Sequence, residues 1–176
     1  MSTPRPFLSR ERLRAKVRAM GRRIAADYRG RDLHLIGVLH GAFVFMADLV
    51  RAIGRPLTRD FLRVSSYGSG TATSGRVRFK MDLDRPIRGR DVLIVEDIVD
   101  TGLTAAALRA ALEKRGPSSL RLCALLHKPS RSRAAVEIDY LGFTIPDRFV
   151  VGYGMDHDAR YRNLPYVGVL DNVKES

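Results

Sequence analysis

Short apolar stretches recur along the chain, and each is bounded by a polar or glycine-containing turn. Stretches rich in Val, Ile and Leu are typical of strands buried on both faces of a parallel sheet. Strands are predicted over residues 33–39, 61–66, 77–81, 92–95, 120–126, 137–143, 149–152 and 167–170. The apolar pattern therefore predicts a sheet at the core.

The segment after Ser9 repeats its apolar residues at helical spacing. Leu13, Val17, Met20 and Ile24 form one stripe, and most positions around it are basic. Ser9 can cap the first turn, because its hydroxyl accepts a bond from a backbone N–H that has no partner within the helix. We expect a basic surface helix here.

Two further helices are predicted over residues 42–53 and 104–115, because glycine and proline follow each of them. Strands that alternate with helices predict one α/β domain over residues 1–176, built on a mainly parallel sheet. Ligands of such sheets bind outside the carboxyl ends of the strands.

The stretch 92–104 joins a buried strand to an acidic tip and a turn. Glu96, Asp97 and Asp100 supply three carboxylates directly after the apolar run. The N–H groups at the start of the next helix favour a phosphate, whereas Glu96 and Asp97 suit ribose hydroxyls or a metal ion bound to them. The turn itself consists of Thr101, Gly102, Leu103 and Thr104. This order of residues predicts a site for a ribose 5-phosphate.

The composition is that of an ordinary globular protein, with 45% hydrophobic and 28% charged residues. The N-terminus has no apolar signal core and no stretch is long enough to span a membrane, so a cytoplasmic protein is expected. Cys123 is the single cysteine and lies in an apolar run. We expect it to be a buried side chain without a disulfide partner.

The net charge of +12 is unusual. Such an excess can attract nucleic acid, or it can concentrate small anionic substrates near the protein. Much of it comes from arginines near the N-terminus, and a solvated basic face is the simpler interpretation of that helix. An RNA-binding surface remains the alternative.

The stretch Glu96-Asp-Ile-Val-Asp-Thr-Gly102 resembles the phosphoribosyl diphosphate signature of type I phosphoribosyltransferases, and its wording is most similar to the hypoxanthine-guanine branch. The resemblance implies a Rossmann-like sheet flanked by helices, with a flexible lid loop and a small hood. The hood would be formed by parts of the N-terminus and by residues of about 145–170. Phosphoribosyl diphosphate and a 6-oxopurine are the implied substrates.

The resemblance also assigns roles to the acidic stretch. Asp100 matches the residue placed near purine nitrogen 7, where a carboxylate can accept a ring proton. Glu96 and Asp97 match the pair that faces the ribose hydroxyls, and the segment from Asp100 to Thr104 matches the 5-phosphate loop. The alternative for Asp100 is that it only caps the following helix.

Two more segments resemble the purine side of the family's site. Lys128, after a buried strand, matches the lysine that donates to the 6-oxo group, and an ammonium group disfavours the amino group of adenine. Phe149 matches the aromatic residue that stacks on the base, and Val150 the residue whose backbone contacts its edge. Asp156 matches a residue near the exocyclic position and a Mg²⁺ ion.

The pyrophosphate side is matched by Arg162 and by the pair His40 and Gly41. A guanidinium suits the planar, bidentate contact that pyrophosphate offers. The family often has Lys or Arg where this chain has His40, and an unusual cis peptide there. His40 is therefore a departure from the pattern, and its side chain is expected to contribute less charge.

Mg²⁺ is the implied cofactor, because pyrophosphate and ribose oxygens are hard ligands. The protein would add one or two carboxylates from the candidates Glu96, Asp97 and Asp156. The glycine-rich segment 67–75, headed by Ser66 and Tyr67, matches the mobile lid that closes over the reacting centre.

The resemblance thus predicts a purine-salvage transferase that converts hypoxanthine or guanine to IMP or GMP with release of pyrophosphate. It also predicts a homo-oligomer, either a dimer or a tetramer. Two alternatives stay open. The same chemistry can serve xanthine, and the fold can serve as an RNA-binding regulator.

Overall fold

The computed structural model describes residues 3–66 and 77–171. Its strands are β1 (Arg5–Leu8), β2 (Leu33–Val38), β3 (Thr58–Ser66), β4 (Val77–Met81), β5 (Asp91–Val99), β6 (Ser119–His127), β7 (Tyr140–Thr144), β8 (Val150–Val151) and β9 (Val167–Val169). Its helices are α1 (Arg10–Asp27), α2 (Phe43–Ile53) and α3 (Leu103–Glu113), and a short 3₁₀ turn covers Pro129–Arg131.

Six strands form the central sheet in the order β4-β3-β2-β5-β6-β7. β2, β3, β5, β6 and β7 run parallel, and β4 alone pairs antiparallel with β3. The predicted mainly parallel sheet is confirmed. The carboxyl ends of β2, β5 and β6 therefore open at one edge, where the fold class places ligands.

Alternate residues of β5 face opposite layers of the core. Leu93 and Val95 belong to the cluster that includes α1 and α2, whereas Val92 and Ile94 belong to the cluster that includes α3. All four are buried, as the apolar run predicted. The sheet is thus covered by helices on both faces, which explains why its inner strands are apolar throughout.

The helix α1 begins as predicted, with the backbone N–H of Arg12 donating to Oγ of Ser9 at 3.3 Å. Its packing on α2 depends on Gly21. A Cβ atom at that position would lie 2.5 Å from the backbone of Ala52, so only glycine permits this approach of the two helices. None of the helices among the described residues is long and apolar enough to cross a membrane.

A second, three-stranded antiparallel sheet has the order β1-β9-β8. It joins the N-terminus to the segment that follows residue 149. β1 was not predicted from the sequence, because it has only four residues and Leu8 alone is buried. So short a strand has no period that a pattern could show, and it exists only through its pairing with β9.

The structure corrects the predicted end of the central strand. β5 runs to Val99 rather than Val95, because β6 continues to pair with it as far as the partners Val99 and His127. Glu96 and Asp97 therefore lie within the strand and not in a turn. Cys123 is buried and free, as predicted.

Candidate active site

Asp100 and Lys128 are brought together by two adjacent strands. Val99, the last residue of β5, pairs with His127, the last residue of β6, and the N–H of Lys128 donates to the carbonyl of Val99 at 3.0 Å. The next residue of each strand is Asp100 and Lys128. A carboxylate and an ammonium group therefore stand side by side at the edge of the sheet.

The turn after Asp100 has the geometry of an anion site. Gly102 has a φ of 78° and is the N-cap of α3, which has no side-chain cap, so Asp100 does not cap this helix. The first N–H groups of α3 have no partners within the helix, although that of Leu103 donates to the hydroxyl of Thr101 at 3.4 Å. This end of the helix borders a cavity of about 210 Å³, where an anion would be favoured. Its polar walls are formed by Glu96, Asp100, Thr101, Gly102 and Thr104.

A second cavity, of about 280 Å³, adjoins the first. It brings together all the residues that the resemblance assigned to the purine and to pyrophosphate. Its walls include His40, Gly41, Asp97, Lys128, Phe149, Val150, Asp156 and Arg162. Asp100 and Ile98 line both cavities. Two ligands bound side by side would thus meet at Asp100.

Lys128 is only 3% exposed and lies among charged partners. Its Nζ is 3.7 Å from Oδ2 of Asp100 and 3.4 Å from Oδ1 of Asp147. Arg131 reaches the same two carboxylates, with Nε 2.8 Å from Oδ1 of Asp100 and Nη1 3.5 Å from Oδ1 of Asp147. Lys128 and Arg131 thus each form ion pairs with both Asp100 and Asp147.

Arg131 and Asp147 were not singled out from the sequence. Each stands in a polar segment between strands, where a charged residue is ordinarily a solvated one. The register of β6 and β7 and the 3₁₀ turn after Lys128 bring them to the site. The run Lys128-Pro-Ser-Arg131 was the available signal, since a short turn keeps Arg131 beside the strand end.

Phe149 lines the second cavity with its ring held by His157. The two rings meet edge to face, with centroids 5.2 Å apart and an interplanar angle of 78°. The carbonyl of Phe149 accepts from Leu170, and Val150 is buried in β8. A planar base in this cavity would therefore meet a ring of fixed orientation.

Arg162 is held by contacts within its own segment. Its Nη2 is 2.6 Å from Oδ1 of Asp156, and its Nη1 donates to the carbonyl of Gly154 at 2.6 Å. Gly154 has a φ of 103°, and a Cβ atom there would lie 2.2 Å from the carbonyl oxygen of Gly41. Glycine is required at residue 154 for the arginine segment to close on the loop after β2.

That loop contains a cis peptide bond between Leu39 and His40, in agreement with the resemblance. The side chain of His40 is exposed. Gly41 packs directly on the carboxylate of Asp97. The loop therefore borders the second cavity, and a histidine stands where the resemblance led us to expect lysine or arginine.

Glu96 and Asp97 face different cavities, because successive residues of a strand point to opposite faces. The sequence had placed them side by side toward one ribose. Burial raises the pKa of Glu96 well above its ordinary value, and the charge of Asp97 raises it further. Burial also raises the pKa of Asp97 to about 6, although backbone N–H groups of Ile98 and of Asp97 itself oppose the shift.

The three predicted metal ligands are not brought together. Among residues 3–66 and 77–171, no group of three His, Cys, Asp or Glu side chains could hold a metal ion. Asp97 and Asp156 line the second cavity, but Glu96 lines the first. A set of two carboxylates still fits a hard cation that takes its other ligands from substrate oxygens and water.

The basic side of α1 lies outside both cavities. Arg10, Arg14 and Arg18 line a wide cleft of about 850 Å³ together with Arg51 of α2. Arg162 borders this cleft as well as the second cavity. The predicted lid, headed by Ser66 and Tyr67, lies outside the described residues except for the backbone of Ser66 at the end of β3.

Comparison with known proteins gives one family. The family described as "Phosphoribosyl transferase domain" matches residues 8–158. A hypoxanthine-guanine phosphoribosyltransferase of Mycobacterium tuberculosis is 54% identical over 171 residues, which cover 94% of this chain and 85% of the relative. A hypoxanthine phosphoribosyltransferase of Salmonella typhimurium is 50% identical over 158 residues, 89% of each protein.

Solved structures agree with these relatives. A hypoxanthine-guanine phosphoribosyltransferase of Bacillus anthracis superposes with a TM-score of 0.92 at 41% identity, over 96% of this chain and 99% of that one. A hypoxanthine phosphoribosyltransferase of Staphylococcus aureus gives 0.91 at 42% identity, over 94% and 90%. The chain therefore belongs to the phosphoribosyltransferase family, in its hypoxanthine-guanine branch.

Proposed function

We propose that this protein transfers the 5-phosphoribosyl group of phosphoribosyl diphosphate to hypoxanthine or guanine, and so produces IMP or GMP and pyrophosphate for purine salvage. The observation that carries the proposal is the pair of adjoining cavities with Asp100 in the wall of both. One cavity has a phosphate-binding turn and the other has the groups that suit a 6-oxopurine.

The first cavity receives the ribose phosphate. The N–H groups at the start of α3 bind the 5-phosphate, and Thr101 and Thr104 add hydroxyl donors. The buried carboxylate of Glu96 accepts from a ribose hydroxyl. Such donors favour the ionised form of a group whose pKa is raised by burial.

The second cavity receives the base. Lys128 donates to the 6-oxo group, and the ring of Phe149 packs on the face of the purine. Asp100 accepts or shares the proton of nitrogen 7 as the base attacks the anomeric carbon. General-base assistance of this kind contributes roughly 10²–10⁴-fold to a rate.

Pyrophosphate leaves past the same cavity, toward Arg162 and the backbone of residues 40 and 41. The guanidinium is already oriented by Asp156 and Gly154, so little ordering is needed when it binds an anion. His40 makes this side less basic than in relatives with Lys or Arg, which places more of the binding on Arg162.

Mg²⁺ belongs to the proposal because pyrophosphate carries a large negative charge that a hard cation neutralises when bound. Asp97 and Asp156 are the residues that would hold it, since both line the second cavity. Burial keeps the pKa of Asp97 near 6, and a cation beside this carboxylate favours its ionised form.

Three further parts of the proposal rest on the sequence and the family. Residues 67–75 act as a lid that excludes water from the oxocarbenium-like transition state. The sheet β1-β9-β8 is the hood over the base. The chain assembles as a dimer or tetramer, which light scattering on the purified protein tests.

Turnover tests the function directly. Purified protein with Mg²⁺ and phosphoribosyl diphosphate should convert hypoxanthine or guanine to the nucleotide and release pyrophosphate. A competition among hypoxanthine, guanine and xanthine ranks the bases, because each product is separable. Absence of turnover with all three bases would contradict the proposal. The RNA-binding alternative has the net charge in its favour but no support among the relatives.

A further inference from the structure

We propose that Arg131 is a positioning residue for Asp100: it holds one carboxylate oxygen so that the other faces the base. The inference rests on the proposed function, since it concerns how the general base of that reaction is oriented. It adds a residue that belongs neither to the acidic signature nor to the purine contacts that the resemblance implies.

The two oxygens of Asp100 have different surroundings. Oδ1 is excluded from solvent and accepts no hydrogen bond of good geometry, but it forms an ion pair with Arg131, whose Nε lies 2.8 Å away. Oδ2 lies 3.7 Å from Nζ of Lys128, the group that would donate to the base. The guanidinium thus pairs with Oδ1. Oδ2 is the oxygen nearer to Lys128, on the side where a base would bind.

Arg131 also spans the two carboxylates of the cluster. Its Nη1 is 3.5 Å from Oδ1 of Asp147, so one rigid fork contacts Asp100 and Asp147 through different nitrogens. Lys128 contacts the same two residues, but its ammonium must turn toward the 6-oxo group when a base binds. Arg131 then keeps an ion pair on Asp100 that does not depend on Lys128.

The backbone fixes the place from which Arg131 acts. The N–H of Arg131 donates to the carbonyl of Lys128 at 3.1 Å. Shortly after it, the N–H groups of Arg133 and Ala134 both donate to the carbonyl of Thr101, at 2.9 and 3.2 Å. The segment 128–134 is therefore hydrogen-bonded to the turn that follows Asp100, at Thr101. These bonds fix the backbone of Arg131 relative to Asp100.

Positioning predicts a loss in kcat more than in substrate binding. Arg131→Ala should lower kcat about tenfold to a hundredfold, which is less than the loss expected when the general base itself is removed. The KM for phosphoribosyl diphosphate should change less. Arg131→Lys should recover part of the loss, because it restores a cation without the fork. Guanidinium ion added to Arg131→Ala should also restore turnover, which a merely structural defect would not permit.

A double-mutant cycle separates the two roles. In an Asp100→Asn background, Arg131→Ala should cause no further loss of kcat, because the carboxylate that it positions is already gone. Arg133→Ala is the matched control, since Arg133 is exposed in the same segment and its backbone bond is kept. It should leave kcat unchanged.

The outcomes distinguish this inference from the proposed function. Wild-type protein that turns over a 6-oxopurine, together with independent losses from Asp100→Asn and Arg131→Ala that multiply in the double variant, would overturn the positioning role and leave the function intact. Wild-type protein without turnover would overturn the function first. Circular dichroism and thermal unfolding of each variant confirm that the comparison is made on folded protein.

Discussion

Gly41 lies against Asp97 so closely that a Cβ atom at residue 41 would stand 1.8 Å from Oδ2 of the carboxylate. The loop after β2 is thus in direct contact with Asp97 in β5. A side chain at residue 41 would displace either the loop or this carboxylate. Both residues line the second cavity, so this contact helps to define the shape of its wall.

Gly41→Ala should therefore impair catalysis before it impairs folding. Overpacking at such a contact costs about 1–3 kcal/mol of stability, and the displaced Asp97 should raise KM for phosphoribosyl diphosphate. Steady-state kinetics and urea unfolding measure the two effects. Adding Asp97→Ala should return the stability lost in Gly41→Ala, because the clashing carboxylate is removed. Ala47→Ser, on the exposed side of α2, should change neither quantity.

The sequence was sufficient for those parts of the site that follow from strand ends. Asp100 and Lys128 each lie shortly after an apolar run, and adjacent parallel strands place residues at their carboxyl ends together. The turn at the start of α3 was predictable from local sequence too, since glycine and hydroxyl residues precede the helix. Local composition carries this information without any knowledge of the rest of the fold.

Other parts depend on register and on long-range packing, which single-sequence patterns do not contain. β5 extends through Glu96 and Asp97 because β6 pairs with it, and this extension turns the two carboxylates to opposite faces. Arg131 is brought to Asp100 by a turn that looked like an ordinary polar loop. The requirement for glycine at residue 154 arises from the backbone of Gly41, more than a hundred residues away.

Asp100→Ala should lower kcat by roughly 10²–10⁴-fold, the contribution of a general base. Binding of phosphoribosyl diphosphate should be largely kept, because the N–H groups of α3 and the cap Gly102 remain in place. Kinetics and isothermal titration with phosphoribosyl diphosphate and Mg²⁺ separate the two quantities. An equal loss of binding and turnover would instead indicate that Asp100 maintains the structure of the turn.

Lys128→Gln should relax the choice of base. The ammonium offers donors only, whereas an amide also offers an acceptor for the amino group of adenine. We expect turnover of hypoxanthine to fall. The ratio of kcat/KM for hypoxanthine to kcat/KM for adenine should decrease about tenfold, equivalent to roughly 1.4 kcal/mol. Competition between the two bases measures this ratio. An unchanged ratio would show that Lys128 does not distinguish a 6-oxo group from a 6-amino group.

Arg162→Lys should weaken the pyrophosphate side selectively. Lysine keeps the charge but cannot contact Asp156 and the carbonyl of Gly154 while it also presents a fork to an anion. We expect KM for phosphoribosyl diphosphate to rise about tenfold, a cost of roughly 1.4 kcal/mol, with a smaller change for the base. The exposed Arg160 provides the control Arg160→Lys, which should leave both constants as in the wild type.

His34 is a buried titratable group at the opposite end of the sheet from the site. It is 1% exposed, and its Nδ1 lies 2.8 Å from Oγ1 of Thr58. Burial lowers the pKa of His34, and the charge of Arg90 lowers it further. The folded protein therefore binds a proton at this residue less readily than the unfolded chain does.

This difference predicts a loss of stability in mild acid. The contribution of His34 is fully present above the unfolded pKa of about 6.5 and is lost as the pH falls through that value toward the folded pKa, because protons then favour the unfolded chain. The raised pKa of Asp97 acts in the opposite sense, so the test compares wild type with His34→Asn rather than one protein at two pH values. Urea midpoints should fall more steeply for the wild type between pH 7.5 and about 5.5. Equal slopes in the two proteins would show that His34 does not titrate in this way.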